Sequence, residues 1–235
     1  MSDPDLPTSI IRQAPSGEYP ITIPRKRVED LGITDKQKLG LRPDCDETGM
    51  ALDFILEPDD GANVVTVKMQ GPRGRQAIIR PPRKLCAILA LNGATAAWAI
   101  DGDRLRAKLN IEPTLNVGYL GAFVEAIETS IFQRTAGNYT ANLPAEKVRP
   151  LRLSKGDLLR VKFECLRSND IFILETKDVD PDAPNTYTLQ MSGPQNNQPR
   201  FTVTRSLGDG LQLAQKRVGW VVNRENARLV GRVTQ

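Results

Sequence analysis

The chain has 235 residues, 32 basic and 28 acidic side chains, a net charge of +4 at pH 7 and no histidine. The lack of histidine excludes His-dependent triads, imidazole general bases and the usual catalytic zinc sites, and no apolar run approaches the ~20 residues that a membrane span needs. Cys45, Cys86 and Cys165 lie far apart with no Cys-x-x-Cys pair, so neither a zinc knuckle nor a disulfide framework is expected, and the reading is a reducing cytoplasm.

The opening Met-Ser-Asp-Pro-Asp lacks the basic and apolar regions of a signal peptide. Residues 8–12 read as a first strand. Ile21 and Ile23, with Thr22 between them, form a second, half-buried strand. Pro24 ends that ladder and starts a brief helix, because its missing amide hydrogen costs nothing at the start of a helix. Val28 and Leu31 share a helical face, Gly32 falls where a left-handed cap belongs, and Leu39 with Leu41 restores the period of two. Residues 51–57 supply the last strand of this quarter, and the turn-rich residues 59–63 connect it to the next.

Residues 64–72 open a second quarter with a strand. Arg80-Pro-Pro-Arg-Lys-Leu85 stands where the first quarter has its Pro-initiated helix, and Trp98-Ala-Ile100 with Arg104–Leu109 makes a closing hairpin. Asp101-Gly-Asp103 is the turn of that hairpin rather than a metal site. In residues 111–128, Phe123, Ile127 and Ile131 are spaced four apart, yet the duplication described next claims Ile131 for a strand. Residues 122–128 are therefore expected as a short helix or extended linker packed on a barrel, with a partner-binding helix as the alternative.

The chain then repeats itself. Tyr19, Pro24, Val28, Leu31, Ile33, Leu39 and Leu41 match Tyr139, Pro144, Val148, Leu151, Leu153, Leu159 and Val161. Met69-x-Gly-Pro72 matches Met191-x-Gly-Pro194, and Trp98 matches Trp220. Four units in two tandem pairs follow: residues 8–58 and 64–113 as domain 8–113, a linker at 114–128, and residues 129–180 and 186–235 as domain 129–235. In the fourth quarter the stretch Phe201-Thr-Val-Thr-Arg-Ser-Leu207 itself lacks the proline, which puts its helix in doubt.

The Ile-x-Ile-Pro to Val-x-x-Leu-Gly-Ile pattern of residues 21–33, with the Lys155-Gly156-Asp157 turn of its second copy, resembles the AbrB-like (SpoVT-AbrB) swapped-hairpin family. The resemblance implies a mainly β fold: two tandem small swapped-hairpin, cradle-loop β-barrels with short helices. In that family two copies from two chains interleave their hairpins, since a unit of ~50 residues cannot cover its own apolar face. Here one chain carries both copies, and neighbouring quarters are expected to pair. Pairing the first quarter with the third stays open, as does a homo-oligomer.

Charge is unevenly spread. Residues 1–63 carry a net −6, 64–113 a net +6, 114–185 a net −1 and 186–235 a net +5. The tightest cluster is Arg73, Arg75, Arg80, Arg83 and Lys84, among Gly71, Pro72 and Gly74, with Arg200, Arg205, Lys216 and Arg217 as its counterpart in the fourth quarter. A solvated basic face is the plain reading; a phosphate-binding loop is the sharper one. Arg12, Arg25, Lys26 and Arg27 occupy positions resembling DNA-contacting ones in the family, and Arg134 and Lys147 are their nearest counterparts, although Glu29, Asp30 and Glu146 lie beside them. Trp98 and Trp220 are expected in the core rather than as base-stacking platforms.

The expectation is a cytoplasmic, double-stranded DNA-binding regulator with no catalytic residues, cofactor or metal. The alternative is a protein-binding or assembly module that retains the barrel without DNA binding. An antitoxin is disfavoured, because the last strand reaches Val233 where such proteins carry a disordered tail.

Overall fold

The computed structural model describes residues 6–58, 63–71, 76–134, 137–195 and 197–234, except the side chain of Ser206. Of the described residues 46% are in strands and 15% in helices, so the protein is mainly β, with curled, barrel-like sheets. The chain divides into two compact units, Met1–Glu112 and Pro113–Gln235.

The first unit holds β1 (Thr8–Ile10), β2 (Ile21–Ile23), β3 (Lys38–Asp46), β4 (Gly49–Ile55), β5 (Asn63–Thr66), β6 (Lys68–Gln70), β7 (Gln76–Ile79), β8 (Thr95–Asp101) and β9 (Arg104–Asn110), with helices α1 (Arg25–Asp30) and α2 (Arg83–Ile88). The strands form one sheet in the order β1-β8-β9-β4-β3-β5 and a small one in the order β2-β7-β6. All pairs are antiparallel. The hairpin β3–β4 meets the hairpin β8–β9 through β4 and β9, while β1 pairs with β8 and β5 with β3. Each half of the unit thus completes the sheet of the other.

The second unit holds β10 (Ile127–Gln133), β11 (Tyr139–Asn142), β12 (Leu158–Leu166), β13 (Asn169–Glu175), β14 (Thr186–Thr188), β15 (Gln190–Ser192), β16 (Gln198–Val203), β17 (Arg217–Asn223) and β18 (Arg228–Thr234), with α3 (Ala145–Val148) and α4 (Arg205–Gly210). Its nine strands run β14-β12-β13-β18-β17-β10-β11-β16-β15. The pairings β10·β17, β17·β18, β18·β13, β13·β12, β12·β14, β11·β16 and β16·β15 repeat those of the first unit one for one. All these pairs lie within one unit, joining the first quarter to the second and the third to the fourth.

Alternation explains the strands: Ile21 and Ile23 are buried and Thr22 half-buried. Pro24, Pro82 and Pro144 precede α1, α2 and α3 in extended conformations, whereas Thr204 does so for α4. The fourth helix therefore forms without the proline, because an extended residue ahead of an apolar Leu207 and Leu211, both buried, is sufficient. Trp98 and Trp220 are fully buried. Trp98 Nε1 donates to Ser9 Oγ and Trp220 Nε1 to Thr129 Oγ1, each at 2.8 Å, so a polar handle ties each opening strand to the core.

Val117–Glu125 forms a 3-10 segment, and β10 already begins at Ile127, so the anticipated element starts earlier than residue 122 and is no α-helix. It packs on its own unit: Leu115 and Phe123 are buried against Leu166, Ile171, Ile173 and Val230. Matching the registers, Asp46, Ala51, Asp53 and Arg106 stand at the equivalent places of the first unit. One patch is apolar in one unit and ionic in the other. Cys86 is a free, buried thiol. Among the described residues no helix is long and apolar enough to cross a membrane.

Candidate nucleic-acid interface

The sharpest shared geometry is a glycine turn packed on the first arginine of a helix. In the first unit Ala14 N–H donates to Glu18 O and Gly17 N–H to Ala14 O, both at 2.8 Å, while Gln13 Nε2 reaches Gly17 O at 3.3 Å. Gly17 has φ +82°, and a Cβ there would lie 2.9 Å from Arg83 Cζ. The positive φ favours a glycine here, and the guanidinium of Arg83 rests against it. In the second unit Arg134, Gly137 and Asn138 repeat the two backbone bonds, and Gln133 Nε2 donates to Gly137 O at 3.2 Å. Gly137 has φ +85°, and its Cβ would meet Arg205 Cδ at 3.0 Å. The Gln13…Gly17 and Gln133…Gly137 repetition was the sequence signal for this arrangement.

Arg83 and Lys84 are exposed at the start of α2, as are Arg25 and Lys26 at the start of α1 and Arg205 at the start of α4. None of these three helices has an acid in its first turn. First-turn amides carry partial positive charge, so each such cation works against the helix by about 0.3 kcal/mol or more. α3 differs, opening on Ala145 and Glu146.

Several predicted cations are partly neutralised. Arg80 Nε lies 3.3 Å from Glu18 Oε2, Arg25 Nε 2.6 Å from Glu29 Oε1 and Arg205 Nε 3.3 Å from Asp209 Oδ2. Arg27, half-buried, pairs with Asp30 at 3.3 Å and donates to Trp98 O at 3.2 Å, which makes it a structural side chain. Arg12 is exposed beyond β1. Arg200 and Lys216 are half-buried on or beside the strands, and Arg217 pairs with Glu128 at 2.9 Å. These three stand on β16 and around the start of β17. Lys147 donates to Glu125 O at 3.0 Å. Arg73 and Arg75, with Pro72 and Gly74, lie outside the described residues.

Sequence reasoning overlooked an ionic cluster. Arg106 Nη1 contacts both Asp53 oxygens at 3.1 Å, and its Nη2 reaches Asp44 and Asp46 at 2.7 Å each. The alternate Asp44 and Asp46 on β3, facing Arg104 and Arg106 on β9, could have signalled it. Desolvation raises the pKa of Asp53 despite Arg106, whereas for Asp46 burial is outweighed by hydrogen bonds from Thr48 and the charge of Arg106, and its pKa falls. With three carboxylates around it, Arg106 offers no free cation.

No known protein family, curated protein or solved structure matches the chain. The AbrB-like resemblance therefore rests on the residues of this chain alone.

Proposed function

We propose that the chain is a double-stranded DNA-binding protein, a transcriptional regulator, built as two AbrB-like swapped-hairpin barrels that each close within the one chain. Supporting the architecture is the interleaving: the hairpins β3–β4 and β8–β9 are joined edge to edge, and each is flanked by the opening strand of the other quarter. The observation that carries the function is that three helices open on an exposed arginine against their own dipole. A cost repeated three times is offset when a phosphate neutralises the cation. Arg12, Arg25, Lys26, Arg83, Lys84 and Arg205 are the residues assigned to the duplex, positioning on phosphates or reading guanine edges.

If about five of these contact phosphates, log affinity falls with log salt at a slope near ~−4.5, from ~0.9 per contact. Arg25→Gln, Arg83→Gln and Arg205→Gln combined should flatten the slope by ~2.7, that is three contacts. Stability should stay within about 1 kcal/mol, since lost ion pairs and relieved dipole repulsion oppose one another. Binding measured by fluorescence anisotropy at several salt concentrations tests this, and a wild-type chain without salt-sensitive duplex binding overturns it. The protein-binding alternative draws on Phe132, 40% exposed at the position equivalent to Arg12.

A further inference from the structure

The second unit contains two adjoining clefts, of ≈ 540 and ≈ 550 Å³, that share Pro150 and Arg224. The floor of one is apolar, with Leu153, Leu158 and Val179, and its rim is cationic, with Arg152, Lys177 and Arg224. All three rim side chains are exposed, and among the described residues none takes part in an ion pair. The acid in this cleft, Asp157, is already occupied, accepting the Ser154 N–H at 2.7 Å. The other cleft presents Val222 and Val124, the latter 90% exposed, and is also lined by Glu125, Glu146 and Lys147, so it suits the apolar part of a ligand while the cationic cleft suits its carboxylates.

The duplicate supplies the control. Gly32 and Glu57 occupy the places of Arg152 and Lys177, and the connection that carries Arg224, residues 224–227, is reduced to 102–103 between β8 and β9. Arg152 has the left-handed backbone that follows the helix in every quarter, φ +54° against +61° at Gly32, +52° at Ala90 and +51° at Gln212, so its conformation belongs to the fold and its charge to this quarter. Three exposed cations, none of them in an ion pair among the described residues, set around Leu153, Leu158 and Val179 point to a ligand carrying both carboxylates and apolar groups.

We propose that these clefts dock an acidic peptide segment of a partner protein, its carboxylates on Arg152, Lys177 and Arg224 and an apolar side chain against Val124 and Val222. Charge-assisted bonds to arginine give the acidic preference, and two clefts in series suit an extended chain better than a compact molecule. The site is independent of the helix-leading arginines.

The test is fluorescence anisotropy on the full chain with a labelled peptide of repeated Glu-Glu-Leu triplets, its Gln-Gln-Leu counterpart and a labelled DNA duplex. The wild type should prefer the Glu peptide by at least ~10-fold. Lys177→Glu with Arg224→Glu should abolish that preference, and Arg152→Gly, which the backbone accommodates, should reduce it. Duplex binding should be the same in all variants. Absence of saturable Glu-peptide binding, equal affinity for the Gln peptide, or a preference retained on charge reversal overturns the proposal. So does loss of duplex affinity in the reversed variant, which would assign the clefts to nucleic acid. Failure of the wild type to bind duplex overturns only the DNA-binding reading.

Discussion

Replacing Arg106 with methionine exposes what the ionic patch costs the first unit. The Arg106 side chain is 10% and that of Asp53 2% exposed, so removing the guanidinium leaves a desolvated carboxylate whose remaining partner is Arg104, 3.4 Å away and 45% exposed. Breaking a buried pair on one side costs about 3–5 kcal/mol. Copying the second unit instead, with Asp53→Ile and Arg106→Val to match Ile173 and Val230, removes both buried charges and leaves Asp44 and Asp46, 43% and 36% exposed, in reach of water, with Asp46 still accepting from Thr48. That pair of changes should leave stability within about 1 kcal/mol of wild type or raise it. The raised pKa of Asp53 fixes the sign of the pH response: its contribution is fully present below the ordinary carboxylate pKa and is lost as pH rises through the folded value. Urea unfolding in a Trp220→Phe background, where Trp98 emission reports on the first unit, measures each variant. A loss below about 1 kcal/mol for Arg106→Met, or an equal loss for the double variant, would refute the reasoning.

Gly208→Ala should destabilise the second unit by about 1–3 kcal/mol or more, because the new Cβ would lie 1.9 Å from the Tyr139 ring; denaturant midpoints followed by Trp220 emission check it. Burial, with a hydrogen bond to Asp209, pushes the Tyr139 hydroxyl up to about 12. Its contribution is intact below the ordinary tyrosine pKa and disappears as pH climbs towards 12, so stability should drop in that window and Tyr139→Phe should shallow the drop. Burial also pushes the Cys86 thiol up to about 12, so iodoacetamide should leave Cys86 unmodified in the native chain at pH 8 and label it in urea, as mass spectrometry would read.

The sequence by itself determined the local units. Ile21-Thr-Ile23-Pro24 could hardly be anything other than a strand stopped at a helix start, since period-two burial and a missing amide hydrogen are properties of the residues themselves. The repetition of that signal, with Trp98 and Trp220 as matching core anchors, likewise needed no coordinates. What only the tertiary structure decided depends on partners far apart in the chain. The Gln13…Gly17 repeat marks a turn without saying that the guanidinium of Arg83 will rest on it, and the alternation of Asp44 and Asp46 does not say that Arg106 will draw three aspartates from β3 and β4 together while Val230, its duplicate, packs in one cluster with Phe123. The 3-10 segment was misjudged for the same reason: its helical spacing was legible, but its shape follows from the apolar patch of β13 and β18 that it covers. Charge was least legible of all, because a run of arginines reads alike whether it is free, as at Lys26, or spent on a neighbour, as in Arg80 with Glu18. Pairing is settled across the sheet, where backbone register, not sequence separation, sets which charges meet.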